Sequence, residues 1–174
     1  MSKFRFAQGL KVLPVLAPVD TAATAQVTAF VDCDKLHWLT FILPFGNMTS
    51  DDSDIVAITV RCSTEDTSAT TEPMNIGFWY RVTSAVATDS MSTAPTAATS
   101  DGIGTSDDGI NAANLDNAVL IIDVDPSVVA AKAATSGGNR WVSVALAPTG
   151  PITIDGAICI AEPRYPGNDI PSST

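Results

Sequence analysis

The chain has 174 residues and 18.0 kDa, room for one ordinary domain with its own core. Sixteen Asp and three Glu oppose nine Lys and Arg for a formal net charge of -10, so clustered basic residues for phosphate binding are missing and nucleic acid is not an expected partner. Glu and Lys together number seven, against 20 Thr, 15 Ser, 11 Gly and 11 Pro, which argues against a helical bundle and for strands joined by Asp-, Ser- and Thr-rich turns.

Residues 1–23 read as an extended arm. Phe4, Phe6, Leu10, Val12, Leu13 and Leu16 follow neither strand nor helix period, and two prolines limit Lys11 to Val19 to an edge strand or extended segment. Such a segment is expected to lie along a neighbouring subunit. Pro14 and Pro18 also interrupt any apolar run after the basic start, so no signal peptide is expected. No apolar run approaches the ~20 residues of a membrane span.

From Ala25 the period becomes two. Ala25–Val31 reads as a strand, as does Leu36–Phe45, which carries apolar residues on both faces: Leu36, Trp38 and Ile42 against Leu39, Phe41 and Leu43. A strand of that kind is buried twice, once in its own core and once at an interface. Ile55–Cys62 points Val56, Ile58, Val60 and Cys62 inward. Met74–Ser84 puts Ile76, Phe78, Tyr80 and Val82 on one face, Trp79 and Arg81 on the other. The region 85–115 is weakly patterned, with short strands expected near Thr88–Met91 and Gly109–Ala112.

Ala118–Val124 is a strongly apolar strand. Asp125 and Pro126 are N-cap and first position of a short helix running to about 134. Arg140–Ala147 alternates Val142, Val144 and Leu146 against Trp141, Ser143 and Ala145. Ile152, Ile154, Ile158 and Ile160 are expected to share one face of the last strand, with Gly156 as a bulge or close-approach site. These elements predict an all-β fold, an antiparallel sandwich of jelly-roll type over residues 24–165, with one short helix, the N-terminal arm and a tail at 166–174.

Reactive chemistry is sparse. His37, the sole histidine, has no nucleophile-elbow motif to serve and reads as a packed or hydrogen-bonded residue. Cys33, Cys62 and Cys159 are too few and too widely spaced for a disulfide framework or a zinc site; they read as buried thiols of a protein made in a reducing cytoplasm, with one bridge left open. Asp51, Asp52 and Asp54, and Asp101, Asp107 and Asp108, read as solvated turn carboxylates, with calcium as the alternative. No catalytic residue, metal or cofactor is expected. Trp79 and Trp141, opposite the aliphatic faces of their strands, are second-core residues under a loop or contacts for a partner, and subunit contact is the preferred reading.

Several segments taken together carry a resemblance. A Phe-Arg-Phe-Ala-Gln arm (4–8) precedes Cys-Asp-Lys-Leu-His-Trp-Leu-Thr-Phe-Ile (33–42) and Ile-Val-Ala-Ile-Thr-Val (55–60). Gly-Phe-Trp-Tyr-Arg-Val (77–82), Leu-Ile-Ile-Asp-Val-Asp-Pro (120–126), Trp-Val-Ser-Val-Ala-Leu (141–146) and Ala-Glu-Pro-Arg-Tyr (161–165) follow. The series resembles small structural proteins of tailed bacteriophages, the capsid decoration or cement proteins. That resemblance implies a homotrimer on the outer surface of the virion head, bound to the major capsid protein, with no catalytic residues, no nucleic acid and no membrane. Exposure and composition nominate Phe4, Phe6 and Leu10 in the arm, Arg164 and Tyr165 in the tail, and Trp79 and Trp141 as partner contacts. The rival readings are a receptor- or glycan-binding virion module, with Trp79 or Trp141 as a stacking platform, and a tail or neck component.

Overall fold

The computed structural model describes residues 10–48, 54–66, 74–84, 96–99, 102–103, 110–132 and 138–164. With strands numbered in chain order, one sheet runs β1 (Lys11–Leu16), β14 (Ala157–Pro163), β5 (Leu36–Pro44), β11 (Ala118–Val124), β8 (Phe78–Ser84), β9 (Thr96–Ala98). A second runs β10 (Ile110–Asn111), β6 (Ile55–Ser63), β12 (Trp141–Pro148), β3 (Gln26–Val27), with β4 (Val31–Asp32) also on β12 and β7 (Met74–Ile76) on β6. A small ribbon pairs β13 (Pro151–Ile154) with β2 (Val19–Ala22). The ladders among these strands are antiparallel, and the fold is an all-β sandwich.

The core lies between the two sheets. Leu39, Phe41 and Leu43 of β5, Leu120 and Ile122 of β11 and Cys159 of β14 meet Val56, Ile58 and Val60 of β6 and Val142, Val144 and Leu146 of β12, all at most 1% exposed. Each such side chain contributes roughly 1.5–3 kcal/mol by leaving water. Helix α1 (Pro126–Ala131) caps one end, started by the Asp125 carboxylate accepting from the Ser127 N–H at 2.8 Å and held by the fully buried Val129.

Four expectations change in detail. First, residues 11–22 of the expected arm pair within their own chain: β1 is an edge strand on β14, its edge blunted by Pro14 and a register shift between Pro14 and Leu16. Residues 1–9 lie outside the described residues. Second, Ala25–Val31 splits into β3 and β4. Between them the Thr28 hydroxyl accepts from the Val144 N–H at 2.9 Å, and the Ala29 N–H turns across to the Val15 carbonyl at 2.7 Å. Third, Met74–Ser84 changes sheets at Gly77, with β7 on β6 and β8 on β11.

The fourth is a phase reversal. Ile152 and Ile154 are buried as expected, but Ile158 is 38% exposed while Ala157, Cys159 and Ala161 point inward. The cause is Gly156, whose φ of +108° lets the chain leave β13 and enter β14 on the other phase; an added Cβ would lie 3.1 Å from the Leu16 carbonyl oxygen. Of the short strands expected in 85–115, Thr88–Met91 lies outside the described residues, and the second is β10. The helix C-cap is Lys132; residues 133–137 lie outside the described residues.

Candidate functional site

The two outer faces of the sandwich differ. On the second sheet the outward side chains of β12 are closed over at its middle, Ser143 at 0% and Ala145 at 6% exposed. The outer face of the first sheet is open. Alternation sends Leu39, Phe41, Leu43, Leu120, Ile122 and Cys159 into the core, and their neighbours in sequence outward. Register then stacks those neighbours into rows across the strands. One row is Pro14–Ile158–Ile42–Ile121–Arg81, from β1 to β8. The next is Val12–Ile160–Thr40–Asp123–Trp79–Ala97, from β1 to β9. Val12 is 47% exposed and Trp79 49%.

The polar groups of this face are few and mostly committed. Asp123 accepts from the Thr40 hydroxyl at 2.6 Å and the Trp38 indole N–H at 3.3 Å, which fixes the exposed Trp38 ring on the surface. Arg81 differs: its Nε is buried with no hydrogen-bond partner. At the β14 end the face sinks into a shallow apolar pit of about 210 Å³, bounded by Pro14, Pro18, Ile42, Pro44 and Ile158, with the exposed Asp155 at its rim. Apolar rows, a guanidinium whose Nε has no hydrogen-bond partner and a shallow pit thus share one face.

Of the residues nominated from sequence, Trp79 stands on that face, on β8 one strand in from the β9 edge. Trp141 is on the second sheet, half-buried, with the Arg140 guanidinium 5.7 Å from its ring centroid. Leu10 is half-buried just ahead of β1. Arg164 is exposed, yet its Nε donates to the Leu36 carbonyl at 2.9 Å, tying the end of β14 to the start of β5. Phe4, Phe6 and Tyr165 lie outside the described residues. Val12, Trp38, Arg81 and Ile158 were not nominated; the outward phase of β5 and β8 gives a signal for Trp38 and Arg81, whereas Val12 lies in a segment without a clear period and Ile158 follows only from the Gly156 reversal.

The reactive groups sit elsewhere. His37 is exposed rather than packed, because the register shift between Glu162 and Pro163 where β14 meets the start of β5 turns His37 and Trp38 both outward. Cys33, Cys62 and Cys159 are buried free thiols. Burial, with the nearby Asp32 charge, pushes the Cys33 thiol up to about 12, and burial also raises Cys62 and Cys159. All three stay protonated and poor as nucleophiles. Cys33 donates its S–H to the Arg140 carbonyl at 2.9 Å. The same segment carries a two-pronged ion pair, Arg140 donating from Nε (3.1 Å) and Nη2 to the buried Asp32 carboxylate, and that hydrogen bonding raises Arg140 further.

Among the described residues no group of three or more His, Cys, Asp or Glu gathers in metal-binding geometry. Asp51, Asp52, Asp101, Asp107 and Asp108 lie outside the described residues. No family model matches the sequence, and no curated protein or solved structure matches it.

Proposed function

We propose that this chain is a non-enzymatic structural subunit of a tailed-phage virion, a decoration or cement protein of jelly-roll type that sits outside the head and ties major capsid protein subunits together. The observation that carries the reading is the open face of the first sheet, where Val12, Trp38, Trp79 and Ile158 are all more than a third exposed around half-buried Ile42 and Ile121. A lone soluble domain gains nothing by presenting such rows to water; a subunit of an assembly buries them.

The order of sequence segments described above supplies the virion setting. The charge of -10 suits a shell component with its acidic turns in solvent, away from packaged DNA. Attachment at several points multiplies modest individual contacts, which is how a small protein resists internal pressure.

The test is cosedimentation of the purified protein with heads that lack it, together with the heat resistance of the decorated particles. Saturable binding at hundreds of copies per head with increased heat resistance supports the reading. About a dozen copies favours a neck or tail component, and binding to glycans without binding to heads favours a receptor module. Either result overturns it.

A further inference from the structure

Each sheet sets a tryptophan directly opposite an aspartate, and only one of the two pairs holds a cation. We infer that the other, Trp79 with Asp123 on the open face, is completed by Trp38 into a seat for a guanidinium, an arginine side chain of a protein partner. The inference rests on reading that face as buried against protein, and it names the chemistry of what meets it.

The filled form of the arrangement is on the second sheet. Trp141 of β12 stands opposite Asp32 of β4. The Arg140 guanidinium lies 5.7 Å from the Trp141 ring centroid and donates from Nε and Nη2 to the Asp32 carboxylate. Side chains directly opposite in an antiparallel pair share one side of the sheet with Cβ atoms ~5 Å apart, so a guanidinium that reaches the acid also reaches the ring.

On the first sheet Trp79 of β8 stands opposite Asp123 of β11 in the same way. Among the described residues no cation pairs with Asp123, and none lies over the Trp79 or Trp38 ring. Arg81 sits one row on, opposite Ile121. The Thr40 hydroxyl at 2.6 Å and the Trp38 indole N–H at 3.3 Å both donate to Oδ1 of Asp123, which leaves Oδ2 without a hydrogen bond among the described residues. The Trp38 bond holds its ring beside the carboxylate from the β5 side, while Trp79 flanks it from β8. The two rings are 38% and 49% exposed. Glu162, exposed and directly opposite Trp38, adds a second carboxylate.

With the Trp38 N–H spent on Asp123, this end of the face offers carboxylate oxygens, two π faces and one indole N–H. That inventory suits a cation better than a neutral sugar, which calls for donors and acceptors together. Guanidinium fits better than ammonium, because its plane stacks on an indole while its edge gives a carboxylate two parallel N–H bonds. The chain's charge of -10 draws a cationic partner surface towards it. The single contact is weak while solvated and strengthens as the surrounding apolar rows lose water.

The test is titration of the full chain with a short peptide carrying one arginine, followed by the indole N–H signals of the three tryptophans in proton–nitrogen correlation spectra. Trp38 and Trp79 are expected to shift together and saturably at millimolar peptide, while Trp141, already covered by Arg140, stays still. Citrulline in place of the arginine keeps the shape and removes the charge, and should weaken binding by about fivefold or more. Asp123→Asn should do the same with unchanged melting, because asparagine keeps the oxygen that Thr40 and Trp38 use and exchanges only the free one. Unmoved Trp38 and Trp79 signals, equal binding of the citrulline peptide, an equal response of all three indoles, or undiminished binding by Asp123→Asn overturns the inference. So does a methyl glycoside that shifts the two rings where the arginine peptide does not. Applying both chains to heads separates the two readings. Heads that bind wild type and Asp123→Asn equally keep the decoration role and remove the arginine seat. Arginine binding at Trp38 and Trp79 by a chain that ignores heads keeps the seat and removes the decoration role.

Discussion

Replacing Phe41 with alanine and, separately, its neighbour Ile42 with alanine tests the facing of the sheet from which the proposed docking surface follows. Phe41 is fully buried between the sheets, so truncation removes a large apolar side chain and leaves a cavity that a ring of packed Leu, Ile and Val side chains closes only in part. Such changes cost about 3–5 kcal/mol. For a domain of this size 1 kcal/mol lowers the melting temperature by roughly 2–4 °C, so a fall of about 6–20 °C is expected. Ile42 lies one residue on but points outward, half-buried in the open face between Ile158 and Ile121. Its truncation leaves no closed cavity, and the expected cost is about 1 kcal/mol or less. Thermal unfolding followed by circular dichroism at low protein concentration, where self-association does not contribute, reads both. Equal losses, or a larger loss for Ile42→Ala, would refute the assignment of faces on β5 and with it the rows of the proposed docking surface.

Four further outcomes follow from the same packing. Because burial raises the thiols of Cys33, Cys62 and Cys159 in the folded state, the unfolded chain loses those protons first; the contribution of the thiols to stability is therefore fully present below the ordinary thiol range and falls as pH rises through it towards the folded values, and Cys33→Ala or Cys159→Ala flattens that alkaline limb of a pH–melting profile. The thiols should also react with a soluble disulfide reagent only at the rate of unfolding. Gly156→Ala forces a side chain into a φ of +108° with a Cβ pressed towards the Leu16 carbonyl, and should cost about 1–3 kcal/mol in urea unfolding, whereas alanine at Gly138, where an added Cβ meets nothing within 4 Å, is the neutral control. Arg140→Ala leaves the buried Asp32 carboxylate with the Asp34 N–H at 3.0 Å as its remaining hydrogen bond among the described residues; the cost is about 1–3 kcal/mol, below that of a fully buried pair because Arg140 is itself 46% exposed, and Asp32→Asn in the same background should recover part of it.

Much of the sandwich was legible because period-two patterning is a local property. Ile55–Cys62 and Ala118–Val124 alternate cleanly, and the structure buries Val56, Ile58, Val60, Cys62, Leu120 and Ile122 as that alternation requires. The Asp125–Pro126 helix start was legible for the same reason, since a cap is a matter of adjacent residues. What sequence left out is set by partners distant in the chain. Nothing near Gly77 announces that the strand changes sheets, because the two partners, β6 and β11, are separate segments. The reversal at Gly156 exposed Ile158 against its local pattern, and the register shift at Glu162 and Pro163 did the same for His37.

The candidate surface was legible in one residue. Trp79 stood out by type and phase, but the rows that give it meaning depend on register across six strands. Arg81 and Ile158 lie 77 positions apart, and only the strand order β14-β5-β11-β8 places them in one row.

The central claim is that the outer face of the first sheet is buried in the working assembly. Carbene footprinting of the wild-type chain, dilute and then assembled at high concentration or on heads, reads it at the side chains concerned. Trp79 and Ile158 should label readily in the dilute protein and become protected together on assembly, with Trp141 on the second sheet as the internal comparison. Undiminished labelling of Trp79 and Ile158 in the assembled state would contradict the account.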